Sequence, residues 1–222
     1  PMNTGTYSVT EAAVLPAVDG DYTESLSCIN KGVGTPDTDG SIIVAKDDAW
    51  VCTFTNVKKG KITVAKVTDP GSTAGPFGFT SSYSSAFNLN GGDSKTVAVA
   101  PGSYTATEDA NADYILSSVG CTDNDSTGNT SVRTATFNVA AGENVTCTFT
   151  NTKKPKLELK KATVPTSDTG TFNLLADEDG AGTTQVTANG VGNSQGSGIQ
   201  KIVPGTYSLS EDVAGGTVAD QY

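Results

Sequence analysis

The sequence contains no histidine. Its absence removes the side chain most often used as a general base near neutral pH and the commonest nitrogen ligand for metals, so hydrolase and zinc-centre readings lose their usual carriers. Acidic residues outnumber basic ones by 24 to 14, and the formal charge of −10 makes nucleic acid and anionic membrane surfaces poor partners, because both repel the chain at long range. No apolar run approaches the roughly 18 residues of a membrane helix, and no basic segment followed by an apolar one opens the chain. This stretch is therefore expected neither to insert in a membrane nor to carry its own export signal, and Pro1 is expected not to be the native start. A leucine-rich helical period is missing too.

Glycine (25 residues), proline (9) and a surplus of Thr, Ser, Val and Asn take its place, the composition of short strands joined by turns. A hydrophobic content of 36% suffices for folded domains, and more than one small core is expected rather than a single large one.

Sliding the chain along itself shows an internal repeat. GTYSVTEAA (5–13), GSYTATEDA (102–110) and GTYSLSEDV (205–213) align, and VCTFTNVKKGKITVAK (51–66) matches TCTFTNTKKPKLELKK (146–161) at an offset of 95. Order and spacing are both kept, so the repeating unit is a domain. Cutting at the Lys-rich junctions gives the C-terminal part of one module (1–57), a complete module (58–152) and the N-terminal part of a third (153–222). Both partial modules contain the Tyr-x-x-x-Glu strand, so they overlap instead of complementing each other. Within the complete module, strands are predicted near 61–67, 77–80, 85–89, 95–99, 103–108, 114–120, 132–139 and 146–151, separated by clusters such as Asp69-Pro70-Gly71 and Asn90-Gly91-Gly92. About seven or eight short strands in so few residues predict an all-β fold of tandem, Ig-like two-sheet sandwiches.

Strand side chains alternate, so residues two apart share a face. Ile62, Val64 and Lys66 share one; so do Tyr104, Ala106 and Glu108, and Cys147, Phe149 and Asn151. A Lys, a Glu and an Asn each extend an apolar row. The partial modules repeat what they contain: Glu11 and Asn56 in the first, Lys161 and Glu211 in the third, with Lys160 outward by parity. Buried alone, an ammonium or a carboxylate costs several kcal/mol, so the groups must pair or become neutral. Neutralisation by desolvation lowers the lysine pKa and raises that of the glutamate, leaving an amine able to attack the Asn carboxamide while the acid shuttles protons. The alternatives are a buried Lys–Glu ion pair hydrogen-bonded to Asn, and a lysine that snorkels to solvent.

Carried by KITVAK (61–66), PGSYTATED (101–109) and TCTFTN (146–151), the sequence resembles the Cna protein B-type, or SpaA-like, domains of bacterial surface adhesins and pilins. The resemblance implies a prealbumin-like sandwich and an autocatalytic isopeptide crosslink. Lys66 would be the nucleophile, Asn151 the electrophile and Glu108 the catalyst, with Glu11 and Glu211 as equivalents and Asn56 and Lys161 as half-sites. It departs from the pattern in the short DANADY stretch (109–114) after the Glu strand.

Each of the first two modules owns one cysteine pair at corresponding positions, which predicts disulfides Cys28–Cys52 and Cys121–Cys147 and an oxidising, extracellular or cell-surface setting. No two cysteines stand close enough in sequence for a zinc site, and no metal centre is assigned. The acidic turns Asp37-Thr38-Asp39-Gly40, Asp123-Asn124-Asp125 and Asp177-Glu178-Asp179-Gly180 carry the ligand types calcium takes, without its twelve-residue loop; calcium is the one cofactor weighed. Trp50 is read as an inter-module or surface packing residue on the face opposite Cys52.

The function expected is a structural stalk or filament segment of a surface adhesin or pilus-like fibre. Its partners would be neighbouring modules and copies of itself. The alternative is an adhesive module whose loops recognise a host protein, glycan or surface. An enzyme acting on an external substrate lacks a nucleophile and base constellation.

Overall fold

The computed structural model describes residues 3–12, 20–31, 34–180 and 182–215. All of its regular elements there are strands: Gly5–Ser8 (β1), Tyr22–Asn30 (β2), Ser41–Val44 (β3), Trp50–Lys58 (β4), Gly60–Asp69 (β5), Phe77–Ser81 (β6), Phe87–Leu89 (β7), Ser94–Val99 (β8), Gly102–Glu108 (β9), Tyr114–Cys121 (β10), Thr127–Asn129 (β11), Thr134–Val139 (β12), Asn144–Lys153 (β13), Lys156–Leu157 (β14), Phe172–Glu178 (β15), Thr183–Val191 (β16), Gln200–Lys201 (β17) and Tyr207–Val213 (β18). The chain divides into two compact units, Pro1–Val67 with Thr73–Asp109 and Ser118–Phe149, and Thr68–Ser72 with Ala110–Ser117 and Thr150–Tyr222.

Most of the middle sandwich falls in the first unit, while the start of β10 and the ends of β5 and β13 fall in the second. One sheet is ordered β10-β13-β5-β8 and the other β11-β12-β9-β6-β7. Alternation sends one row of each strand inward, as the sequence pattern requires: Ile62, Val64 and Lys66 from β5, Val145, Cys147 and Phe149 from β13, Phe77 and Phe79 from β6, Ala106 and Glu108 from β9, and Ala135, Phe137 and Val139 from β12. Phe79 and Phe149 meet edge to face across the sheets, with ring centroids 5.2 Å apart. Each of the eight strands expected in this module has its counterpart. The extra one, β11, spans three exposed residues and carries no apolar alternation by which a sequence could reveal it.

The first module is represented by two ribbons, β1-β3 and β2-β4. In the second of these, Cys28 sits directly opposite Cys52, and the two form a disulfide; Cys121 and Cys147 form the other. Sequence separations of 24 and 26 residues are worth about 3 kcal/mol each in the chain-entropy picture. Trp50 and Cys52 line one cavity together with Ile42, Val44 and Ala49. Trp50 is therefore on the same face as Cys52 and not the opposite one, because residues two apart on a strand must agree in direction.

β4 passes into β5 with only Lys59 between them. The joint is tied: Lys59 N–H donates to Asp21 O (2.8 Å), Gly142 N–H to Lys58 O (3.1 Å) and Lys61 N–H to Glu143 O (2.7 Å). Gly60 is buried there, and a Cβ on it would lie 2.3 Å from Val139 Cγ1 and 2.7 Å from Glu143 O.

In the second unit, β16-β15-β18 form a sheet and β14-β17 a short ribbon. Phe172, Leu174, Ala188 and Val191 make one buried cluster, with Leu159 against it; Ala176, Val186 and Ile202 make another. In all three repeats the motif tyrosine donates its hydroxyl to the carbonyl four residues upstream: Tyr7 to Asn3, Tyr104 to Ala100 and Tyr207 to Val203, at 2.6–2.8 Å. That bond fixes the turn entering the Glu strand and accounts for the constancy of tyrosine there.

Gly60→Ala is expected to destabilise the chain by about 1–3 kcal/mol through overpacking. Gly120→Ala, where an added Cβ meets nothing within 4 Å, serves as the control. Equal thermal midpoints for the two variants would show that the joint is not tightly filled.

Candidate functional site

β5 and β13 run in the same direction, since Lys58 is bonded to Gly142 and Lys61 to Glu143. Lys66, six residues into β5, turns its side chain into the sandwich, where it is 1% exposed. Its Nζ donates to Phe149 O (2.9 Å) and to Val67 O (3.0 Å), lies 3.6 Å from Glu108 Oε2, and stands 4.4 Å from the Phe77 ring centroid. Glu108 closes β9 and is also 1% exposed. It pairs with Phe79 across β6. Asn151 follows Phe149 two places along β13 on the same inward row and is 1% exposed as well.

This environment is costly for charge. Taking an ammonium and a carboxylate out of water costs several kcal/mol each, which their attraction and the carbonyl contacts must offset. Burial accordingly pushes the Lys66 amine below the ordinary lysine value of 10.5; the charge and hydrogen bond of Glu108 pull it back up without cancelling the effect. A lysine with a lowered pKa is more readily present as the neutral amine, and here that amine faces two carbonyls and a buried acid.

The flanking repeats show the same residue types in a different setting. Asn56 Nδ2 donates to Glu11 Oε1 at 2.7 Å, and both residues are exposed. Lys161 Nζ pairs with Glu211 Oε1 at 2.7 Å and lies 3.8 Å from the Phe172 ring centroid; its side chain is 14% exposed, and that of Glu211 44%. Lys160 points outward, 67% exposed, towards Glu158. Two partners of the sequence-predicted set thus find each other in each flanking repeat.

Sequence reasoning passed over the aromatic floor. Phe77 and Phe172 each stand eleven residues after their lysine, at the offset of the repeat, and each lies under the Nζ. The repeat itself carried that signal. Of the acidic turns, Asp123 and Asp125 converge with Glu143, their oxygens within 4.8 Å of one another. A hydrogen bond that the protonated Asp125 carboxyl donates to Asp123 holds Asp125 above the usual carboxylate range. The carboxylates of Asp37 and Asp39 instead accept backbone N–H groups of their own turn.

Residues 62–153 match a SpaA-type family model described as a prealbumin-like fold domain, and residues 2–58 match a second model of the same description. The chain carries SpaA-like prealbumin-fold domains. No curated protein matches the chain significantly. Among solved structures, similarity extends to the Bacillus anthracis TIE protein (12% identity, 96% of this chain and 53% of that one, TM-score 0.38) and a streptococcal ancillary pilin (14%, 96% and 67%, 0.38). It also extends to the pilus adhesin SpaC of Lactobacillus rhamnosus GG in its open conformation (15%, 96% and 36%, 0.34). The chain spans about half the length of the first of these, and likeness at this level carries no role over to it. Among the described residues no helix is long and apolar enough to cross a membrane.

Because the folded Lys66 holds its proton less well than the unfolded one, the unfolded chain binds more protons between the lowered value and 10.5, and stability rises with pH across that window. In an Asn151→Ala background, the stability difference between Lys66 and Lys66→Met chains should therefore move in favour of lysine as pH rises there. Urea unfolding at several pH values checks this, and a flat difference contradicts it. At neutral pH, Lys66→Met should cost about 3–5 kcal/mol by stranding Glu108, with most of it recovered in Lys66→Met/Glu108→Leu.

Proposed function

We propose that this chain is a stalk or filament segment of an extracellular repeat protein, a surface adhesin or pilus-like fibre, whose modules (1–57, 58–152 and 153–222) are stapled internally. The observation that carries the reading is the fully buried Lys66 on the first strand of the middle module, held against Glu108, in a module whose last strand buries Asn151. Nothing in such a site is open to an external substrate, so the chemistry it supports acts on the protein itself and does not turn over.

In the proposed reaction the neutral Lys66 Nζ attacks Asn151 Cγ. Glu108 takes a proton from the attacking nitrogen and gives one to the departing amide nitrogen. The C–N bond of the carboxamide breaks, ammonia leaves, and a Lys–Asn isopeptide bond remains; no oxidant or co-reactant is required. A tie between the first and last strands of a module takes tension that would otherwise fall on hydrogen-bonded strands. The disulfides add a second closure in an oxidising compartment. The partial modules offer Asn56 with Glu11 and Lys161 with Glu211 as the same chemistry awaiting a third strand. The partners proposed are neighbouring modules and further copies in a fibre.

The test is the intact mass of the reduced chain, which condensation lowers by about 17 Da for the ammonia lost. One such deficit is expected in the parent chain and none in Lys66→Ala, Asn151→Ala or Glu108→Ala. A parent chain of full calculated mass would sink the isopeptide and leave a sandwich with a buried polar cluster.

A further inference from the structure

Glu108 occupies the last position of β9, where strand ends ordinarily fray, yet it must present a carboxylate at one place in the core. Its backbone is held from one residue. Glu108 N–H donates to Arg133 O at 2.9 Å, and Arg133 Nε donates back to Glu108 O at 3.1 Å, so Arg133 grips both peptide groups of Glu108 just beyond the β9–β12 ladder, which ends at Thr107 and Thr134. The neighbouring Asp109 N–H is bonded to Gly78 O at 2.9 Å, which secures the other side.

Arg133 is itself placed by a particular turn. It adopts a left-handed backbone conformation (φ 53°), and its N–H is bonded to Thr130 O at 3.2 Å. A non-glycine residue is uncommon in that region and carries some cost. Arg133 is also the only arginine in the chain. In the first module the register of β1 against β3 places Thr38 at the equivalent position, and there Glu11 is exposed. The grip therefore accompanies the one glutamate that is buried beside a lysine.

We propose that Arg133 is a positioning residue that sets the Glu108 carboxylate against Lys66. It acts through the hydrogen bond of a planar donor to the Glu108 carbonyl and touches neither reacting atom. Its effect on crosslinking rests on the stapling reading above, whereas its effect on the Lys66–Glu108 pair does not.

The full 222-residue chain, recovered in denaturant before folding, is refolded by dilution and sampled by mass. Arg133→Met, which keeps the stem and loses every donor, should slow the appearance of the lighter species about tenfold through misplacement of the acid. Arg133→Gln, which restores a neutral N–H donor, should recover most of the rate. Arg133→Ala is made in parallel, so that failure of one variant to refold leaves the other. In an Asn151→Ala background, NMR titration of Lys66 gives a readout that mere folding would not move: without Arg133 the pull of Glu108 weakens and Lys66 should titrate at lower pH. Parent-like crosslinking with unchanged Lys66 titration overturns the proposal. If the parent chain never loses mass, the stapling reading fails by itself, and the Lys66 titration alone decides for or against Arg133.

Discussion

A lysine ammonium and a glutamate carboxylate placed 3.6 Å apart inside a β-sandwich constrain nearly everything around them. An isolated buried charge would dissolve a small core, so the two must arrive together, and they come from different sheets. β5 can bring Lys66 in only if its register buries Ile62 and Val64, and β9 can bring Glu108 in only if Ala106 precedes it on the inward row. The remaining donors of the amine need carbonyls, which Val67 and Phe149 supply, and its underside needs a surface that tolerates a cation, which Phe77 supplies. The sandwich is in this sense organised around a polar cluster, with the apolar rows as its frame.

The flanking repeats show what burial adds. Asn56 with Glu11 and Lys161 with Glu211 make contacts of 2.7 Å, shorter than the Lys66–Glu108 approach, but they do so exposed or partly exposed. Contact alone is therefore not what distinguishes the middle module. Contacts open to solvent are worth little. Enclosure of the middle cluster is what pushes Lys66 below its usual value.

Much of this was legible in the sequence, for specific reasons. Alternation is a strict rule on a strand, so a Lys, a Glu and an Asn in step with apolar neighbours are expected inside; Lys66, Glu108 and Asn151 are buried, whereas Glu11 and Asn56 at the corresponding places of the first repeat stand exposed. The cysteine pairs were legible by the same correspondence. What escaped lay outside the ladders. β11 has no alternation, and Arg133 sits in a left-handed turn where parity means nothing. Phe77 is apolar on an apolar row, so its second role beneath the amine left no mark except the repeated spacing. Trp50, expected opposite Cys52, shares its face, as parity on one strand requires and their common cavity shows.

The single residue between β4 and β5 has a mechanical meaning. Flexible tethers behave as entropic springs, and a fibre joined by them must first be drawn straight before it transmits a pull. Lys59 is bonded on its N–H, and the Gly60 beside it is packed too closely to admit even a Cβ. A chain jointed in this way has almost no slack at that point, and a pull applied across it would be passed on with little delay, more as by the link of a rod than by the knot of a rope.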